Sequence, residues 1–183
     1  MTYYREILLN DGRKCILRNA EEKDAREVLD NFNLTHSQTD YLLSYPGEER
    51  FTVEEEAEYL RNKSENENGI EIIAEVDGRV VASAGIEQVG KKEKIRHRAE
   101  FGISVDKNCW GLGIGTALLE ACIECAKNAG FTQLELTAVA DNERAVSLYK
   151  KAGFTEFGRN PKGFRNRTGE YRTLIYMLLD TGD

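Results

Sequence analysis

Three glycines at alternate positions, Gly111, Gly113 and Gly115, interrupt an otherwise regular stretch of the chain. Glycine takes positive φ angles and lets a backbone approach a ligand closely. Just before them, Phe101, Ile103 and Val105 alternate as they do in a strand. Just after them, Ile114, Leu118, Ala121, Cys122, Cys125 and Ala129 recur at helical spacing, and Gly130 supplies a cap. A glycine loop between a strand and a helix turns free N–H groups outward, where the helix dipole also favours negative charge. The chemistry it suits is phosphate binding, and the plain alternative is a tight turn. A Rossmann fingerprint would need Gly-x-Gly-x-x-Gly with an acid further on, and a P-loop would end in Gly-Lys-Ser/Thr. Neither pattern occurs here.

The residues that could move protons lie on both sides of that loop. Glu100 stands on the incoming strand between Ala99 and Phe101. Partial burial there would raise its pKa and make it a better base, whereas a solvent-side glutamate would do nothing. His97 is the competing base. Downstream, Asp141-Asn142 reads as a helix cap, and Asn142, Ala145 and Tyr149 fall on one stripe of the helix it opens. Cys109 invites the idea of a thiol nucleophile. Cys122 and Cys125 form a Cys-x-x-Cys well inside the expected helix, away from the N-terminal position that activates a redox thiol, so both read as core.

Composition narrows the setting. The chain of 183 residues fits a single domain, 1–183, large enough to bury a core without staples. A net charge of −7 argues against a nucleic-acid surface. No apolar run is long enough for a membrane span, and the start, Met-Thr-Tyr-Tyr-Arg-Glu, lacks the apolar centre of a signal peptide, so the cytoplasm is expected.

Strands are expected at 6–9 and 14–18 around Asn-Asp-Gly, and at 70–76 and 80–89 around Asp77-Gly78. One more ends at Val105 and another covers 133–139. The last two, 154–158 and 171–179, flank a charged loop holding Lys162, Arg165 and Arg167. Helices are expected over 21–34, with Ala25, Val28, Leu29 and Phe32 inward, and from the capping box at Thr52 to about Asn66. The acidic face of the second helix (Glu54, Glu55, Glu56, Glu58) reads as solvated. Thr35 to Arg50 reads as loop with a short turn.

Two stretches together carry a resemblance: Asn-Cys-Trp-Gly-Leu-Gly-Ile-Gly-Thr-Ala-Leu-Leu from Asn108, and Asp-Asn-Glu-Arg-Ala-Val-Ser-Leu-Tyr-Lys-Lys-Ala-Gly-Phe from Asp141. They resemble the pyrophosphate loop and the Asn-x-x-Ala…Leu-Tyr-x-x-x-Gly-Phe segment of the GCN5-related N-acetyltransferase (GNAT) superfamily. The Trp-Gly form is similar to the branch of ribosomal-protein and polyamine acetyltransferases. One departure stands out, because the family usually has Gln or Arg at the place of Trp110.

The resemblance implies an α+β GNAT fold: a mixed, mostly antiparallel sheet of about seven strands, four helices and a central V-shaped splay. It implies acetyl-CoA as cosubstrate and no metal. Trp110, Gly111, Leu112, Gly113, Ile114, Gly115 and Thr116 would hold the pyrophosphate, with Asn142 and Ala145 beside them. The backbone at Ile103, Ser104 and Val105 would bond the pantetheine arm as an added strand does. Tyr149 would protonate the departing thiolate, and Glu100 would take the proton of the attacking amine, directly or through water. A direct attack needs no cysteine. The acceptor, a small-molecule or peptide amine, would lie against the two N-terminal helices and the 162–168 loop; neither nucleic acid nor membrane is an expected partner, and a homodimer is left open. A non-catalytic acyl-CoA sensor with the same fold is the alternative.

Overall fold

Eight alternating apolar runs pair into one sheet, with four helices laid over its faces. The computed structural model describes residues 1–48 and 51–182. In chain order the elements are β1 (Tyr4–Leu8), β2 (Lys14–Asn19), α1 (Ala25–Gln38), α2 (Val53–Glu65), β3 (Gly69–Val76) and β4 (Arg79–Gln88). There follow β5 (Arg98–Val105), α3 (Ile114–Asn128), β6 (Gln133–Val139), α4 (Glu143–Lys151), β7 (Thr155–Arg165) and β8 (Tyr171–Asp180). The strand order is β1-β2-β3-β4-β5-β6-β8-β7. Every neighbouring pair is antiparallel except β5 and β6. Among the described residues the total is eight strands rather than about seven.

Two boundaries in particular depart from the sequence reading. Helix α1 runs on to Gln38, because Thr35 and Ser37 return hydroxyl hydrogen bonds to the carbonyls of Phe32 (3.0 Å) and Leu34 (2.6 Å). The rest of the expected 35–50 loop follows, its last two residues lying outside the described ones. The expected loop at 162–168 shrinks to 166–170, since β7 carries Lys162 and Arg165. Its pairing with β8 shifts between Asn160 and Phe164, a bulge that absorbs Pro161, which has no N–H to give a ladder. The capping box of α2 forms as read, with Thr52 Oγ1 accepting from Glu55 N and Glu55 accepting from Thr52 N. The acidic face it opens is not wholly solvated, because Glu56 is buried.

Alternation in β3–β5 separates two apolar layers. Ile70, Ile72, Ala82, Ala84, Ile86 and Phe101 pack with Ile114, Leu118 and Cys122 of α3. On the other face, Ile73 and Val80 meet Ala25, Val28 and Leu60 of the N-terminal helices. Ile70, Ile72, Leu118 and Leu60 are wholly buried, each contributing about 1.5–3 kcal/mol relative to exposure. The N-terminal-helix face changes character toward β5. There the register places Glu71 beside Gly85 and Gly85 beside Gly102, while Glu87 opposes Glu100.

The parallel pair is short. Strands β5 and β6 stay in register only from Arg98/Gln133 through Glu100/Glu135 and then diverge. Phe101 to Val105 consequently lack a partner on that side, and the expected splay opens there.

Candidate active site

The glycine loop is built as a cradle. Gly111 and Gly113 take φ of 81° and 95°, which the turn from the end of β5 into α3 requires. Among the described residues, no acceptor takes the amides from Gly111 to Thr116, and the first bond of the helix runs from Ala117 N to Gly113 O at 3.1 Å. Free N–H groups at a helix start are an anion's ligands. The hairpin tip fixes the loop from behind: Asn10 Nδ2 donates to Gly111 O (2.9 Å), and Asn10 N donates to Leu112 O (3.2 Å). No motif marks Asn10 for that part, since its Asn-Asp-Gly setting reads only as a turn.

Beside the loop lies a cavity of about 370 Å³, framed by the free edge of β5, the end of β6 and one face of α4. Ile103, Ser104, Val105, Trp110, Gly111, Ile114, Gly115, Asn142, Ala145 and Tyr149 line it, as do Arg144 and Leu148, which the motif reading passes over. Leu112, Gly113 and Thr116 do not line it, so any part they take is through the backbone. Asn142 caps α4, its Oδ1 accepting from Ala145 N at 3.3 Å. The Val105 carbonyl already receives the Trp110 indole N–H at 2.9 Å, so one of its lone pairs is engaged.

A second cavity, of about 510 Å³, occupies the N-terminal-helix face of β3–β5. Its walls are apolar and aromatic (Phe32, Leu42, Phe51, Tyr59), and its floor carries Glu71, Glu87 and Glu100. Glu56 and Lys63 complete the charged lining. Leu42 and the stretch Glu100 to Ser104 border both cavities, so β5 is the partition between them. Two bonds to Gln38 tie α1 to the end of that strand: Gln38 Nε2 donates to Asp106 Oδ1 (2.9 Å) and Lys107 N donates to Gln38 Oε1 (2.8 Å).

Glu100 sits in the partition with its charge uncompensated. It faces Glu87 on one side and Glu135 on the other in the sheet register. Glu87 is paired with Lys63 (3.3 Å), and Glu135 with Arg98. Among the described residues the Glu100 carboxylate has no hydrogen bond or ion pair of its own. Like charges opposed across strands are unfavourable, which suits a group held for a cationic ligand rather than for the fold. The expected burial is absent, since Glu100 is exposed at the cavity wall.

Tyr149 lines the loop-side cavity, only 7% exposed, edge-on to Phe101 with centroids 6.2 Å apart. Burial pushes its phenol up to about 12. Its hydroxyl makes no hydrogen bond to a described residue.

The competing groups do not fit. His97 is exposed and borders neither cavity; its carbonyl accepts from Thr132 N and Gln133 N, which makes it a backbone tie between β5 and β6. Cys109 does line the loop-side cavity, but burial raises its thiol pKa, the wrong direction for a nucleophile. Cys122 and Cys125 are buried core residues. His36, by contrast, is 9% exposed and borders the helix-side cavity, stacked on Phe32. Its Nδ1 lies 2.7 Å from Phe32 O and so carries the proton.

The residue that sequence reasoning misses altogether is Glu71. A Cβ at Gly85 would collide with its Oε2, so the glycine exists to leave room for that carboxylate. Burial pushes its pKa up to about 7, with Glu56 and Glu87 adding to the rise against Lys63 and Ser83. The available signal is an acidic residue breaking an apolar strand, Ile70-Glu71-Ile72-Ile73, and alternation alone reads that as an outward position.

The acetyltransferase (GNAT) family model matches residues 34–154, from the end of α1 to the start of β7. The chain belongs to the GNAT family. This GNAT chain is 36% identical over 108 residues to an L-amino acid N-acetyltransferase of Escherichia coli K12, an alignment spanning 58% of the chain and 65% of that relative. A GNAT-family acetyltransferase structure from Streptococcus pneumoniae superposes with a TM-score of 0.87 at 29% identity, covering 91% of this chain and 99% of the other. A Salmonella typhimurium structure solved with its cofactor acetyl-CoA shares the fold, with a TM-score of 0.82 at 18% identity over 92% of this chain and 95% of that one. No helix among the described residues is long and apolar enough to cross a membrane, and no group of side chains among them could hold a metal ion.

Proposed function

We propose that the chain is an acetyl-CoA-dependent N-acetyltransferase, with the coenzyme in the loop-side cavity and the amine in the helix-side cavity. The observation that carries it is the partition: one strand, β5, borders both cavities, offers a free backbone edge to one and an unpaired carboxylate to the other. The unbonded amides of the glycine loop fit a pyrophosphate, which is how this chain would hold acetyl-CoA.

In this reading Glu100 accepts the proton of the incoming ammonium, freeing a lone pair to attack the thioester carbonyl. The carbon–nitrogen bond forms, the nitrogen, cationic after attack, releases its second proton to solvent, the carbon–sulfur bond breaks, and the sulfur leaves as a thiolate. Tyr149, kept protonated by burial, donates to that thiolate. Its phenol is a weaker acid than a thiol in water, so the transfer depends on placement in a desolvated site. The unpaired Glu100 and the unbonded Tyr149 hydroxyl favour turnover over a silent acyl-CoA sensor.

The acceptor is an amine on an apolar arm with no carboxylate beside it. Four glutamates face that cavity, and its lysine is engaged with Ile86 O (3.2 Å) and Glu87 (3.3 Å). The cytoplasm is the proposed compartment, and four free, buried cysteines suit a reducing one.

The relative named for L-amino acids supports a different acceptor, and one comparison separates the two. Coenzyme release is followed with L-leucine amide and with L-leucine, alongside acetyl-CoA binding by calorimetry. We expect the amide to be at least tenfold better in kcat/KM. Equal rates would remove the acceptor assignment and leave the transferase. No binding of acetyl-CoA would remove the transferase itself.

A further inference from the structure

Arg144 is an arginine in the wrong place for stability. It is the second residue of α4, where the helix dipole repels a cation. Among the described residues its guanidinium forms no hydrogen bond or ion pair, and its one ring contact is with Trp110, 5.1 Å from centroid. Five N–H donors are therefore unspent. Trp110 is itself fixed, because its Nε1 donates to Val105 O at 2.9 Å. Lys107 lies over the same ring at 5.9 Å, so two cations share one indole. They repel each other unless an anion joins them. Arg144 and Trp110 both line the loop-side cavity, next to Gly111 and its unbonded amide.

We propose that Arg144, seated on Trp110, binds a phosphate of the coenzyme, so that a cation from α4 serves the glycine loop from outside it. The inference rests on acetyl-CoA being the occupant of that cavity. It also explains a tryptophan in the loop, which offers a flat, apolar platform that positions the guanidinium without neutralising it. The fork geometry of arginine suits a phosphate, and an indole alone cannot bind one. The coenzyme carries two such groups, the pyrophosphate and the 3′-phosphate. The chemistry at Arg144 is the same for both.

The test uses Arg144→Gln, which keeps much of the stem over the indole and removes the charge. Dissociation constants are measured by calorimetry for acetyl-CoA and for acetyl-3′-dephospho-CoA, in the wild type and the variant. Trp110 is the only tryptophan in the chain, so its emission reports arrival of the ligand at this point. We expect acetyl-CoA to bind about tenfold more weakly to the variant, with the loss shrinking as salt is added. Thermal stability should hold or rise, because a cation has left a helix N-terminus; a merely structural arginine would lower it. If the variant loses affinity equally for both ligands, the partner is the pyrophosphate. If it loses affinity only for acetyl-CoA, the partner is the 3′-phosphate. An affinity within twofold of wild type for both ligands, with the Trp110 signal on binding unchanged, overturns the proposal. Arg144→Lys should recover part of the affinity, and failure of any wild-type binding would discard the cavity's occupant and Arg144's role together.

Discussion

The two cavities on either side of β5 are made of different material. The loop-side one is largely backbone: a free strand edge, a glycine turn and the start of a helix, with a few side chains around them. The helix-side one is largely side chains, drawn from α1, α2, β3, β4, β5 and the segment between the first two helices. A backbone site tolerates sequence change as long as its turns survive. A side-chain site can be altered by one substitution on any of six segments. In the proposed reading the first holds the cosubstrate that the family shares, and the second, which would take the acceptor, is where relatives would differ.

The proposed base should give the largest effect, because it stands in the partition. Glu100→Gln keeps shape and hydrogen-bonding capacity but cannot take a proton. We expect kcat/KM to fall by about 10²–10⁴-fold near neutral pH, the range for one acid–base contribution. The loss should narrow at high pH, where free amine is already abundant. The ratio of wild type to variant at each pH cancels the amine's own titration. His97→Gln, run alongside, should be near wild type, given its exposed place outside both cavities. A ratio near one for Glu100→Gln with collapse of His97→Gln would make Glu100 scaffolding.

On the loop side, Tyr149→Phe tests a side chain inside a mostly backbone site. Packing against Phe101 and Phe154 is kept, so stability and acetyl-CoA affinity should barely move. The chemical step should slow by about 10²-fold in single-turnover measurements. Wild-type turnover would hand the proton to water and leave the ring a packing role. With the phenol at about 12, no ionisation of Tyr149 should appear in the pH profile below about pH 10.

The same contrast explains what can be read from sequence. Gly111, Gly113, Gly115, Asn142 and Tyr149 sit within two short stretches whose order along the chain is their order in space. Spacing therefore groups them, and the resemblance of the two stretches to the GNAT motifs supplies the roles expected of them. Asn10 and Glu71 reach their places through strand pairing, which no local pattern records; Asn10 meets Gly111 from the far end of the chain, and Glu71 is explained only by the glycine opposite it. Glu56 misleads for a related reason. Helical spacing puts it on an acidic face, but that face turns over the cavity rim and buries one glutamate out of the row. The β7 extension is hidden by the charged run of Lys162, Arg165 and Arg167, which reads as a loop, while the chain from Asn160 to Phe164 forms a bulge.

Glu71 offers the smallest effect on turnover and the sharpest one on stability. In the folded protein it keeps its proton to about pH 7, and in the unfolded chain to its ordinary 4.5. Between those values the folded state binds more protons, so stability should fall as pH rises through that window and then level off. Glu71→Gln has no such titration. The variant should therefore gain on the wild type from about pH 5 to 8, by at most about 3 kcal/mol at about 1.36 kcal/mol per unit, and by about 1–2 kcal/mol where the cavity admits water. Turnover should change only a few-fold, since Glu100 remains. Urea midpoints at about pH 5 and pH 8 decide it: a wild-type-minus-variant difference that does not widen with pH would mean that Lys63 already holds Glu71 ionised. The helix-side cavity would then carry one more full negative charge, and its preference for a cationic acceptor would strengthen.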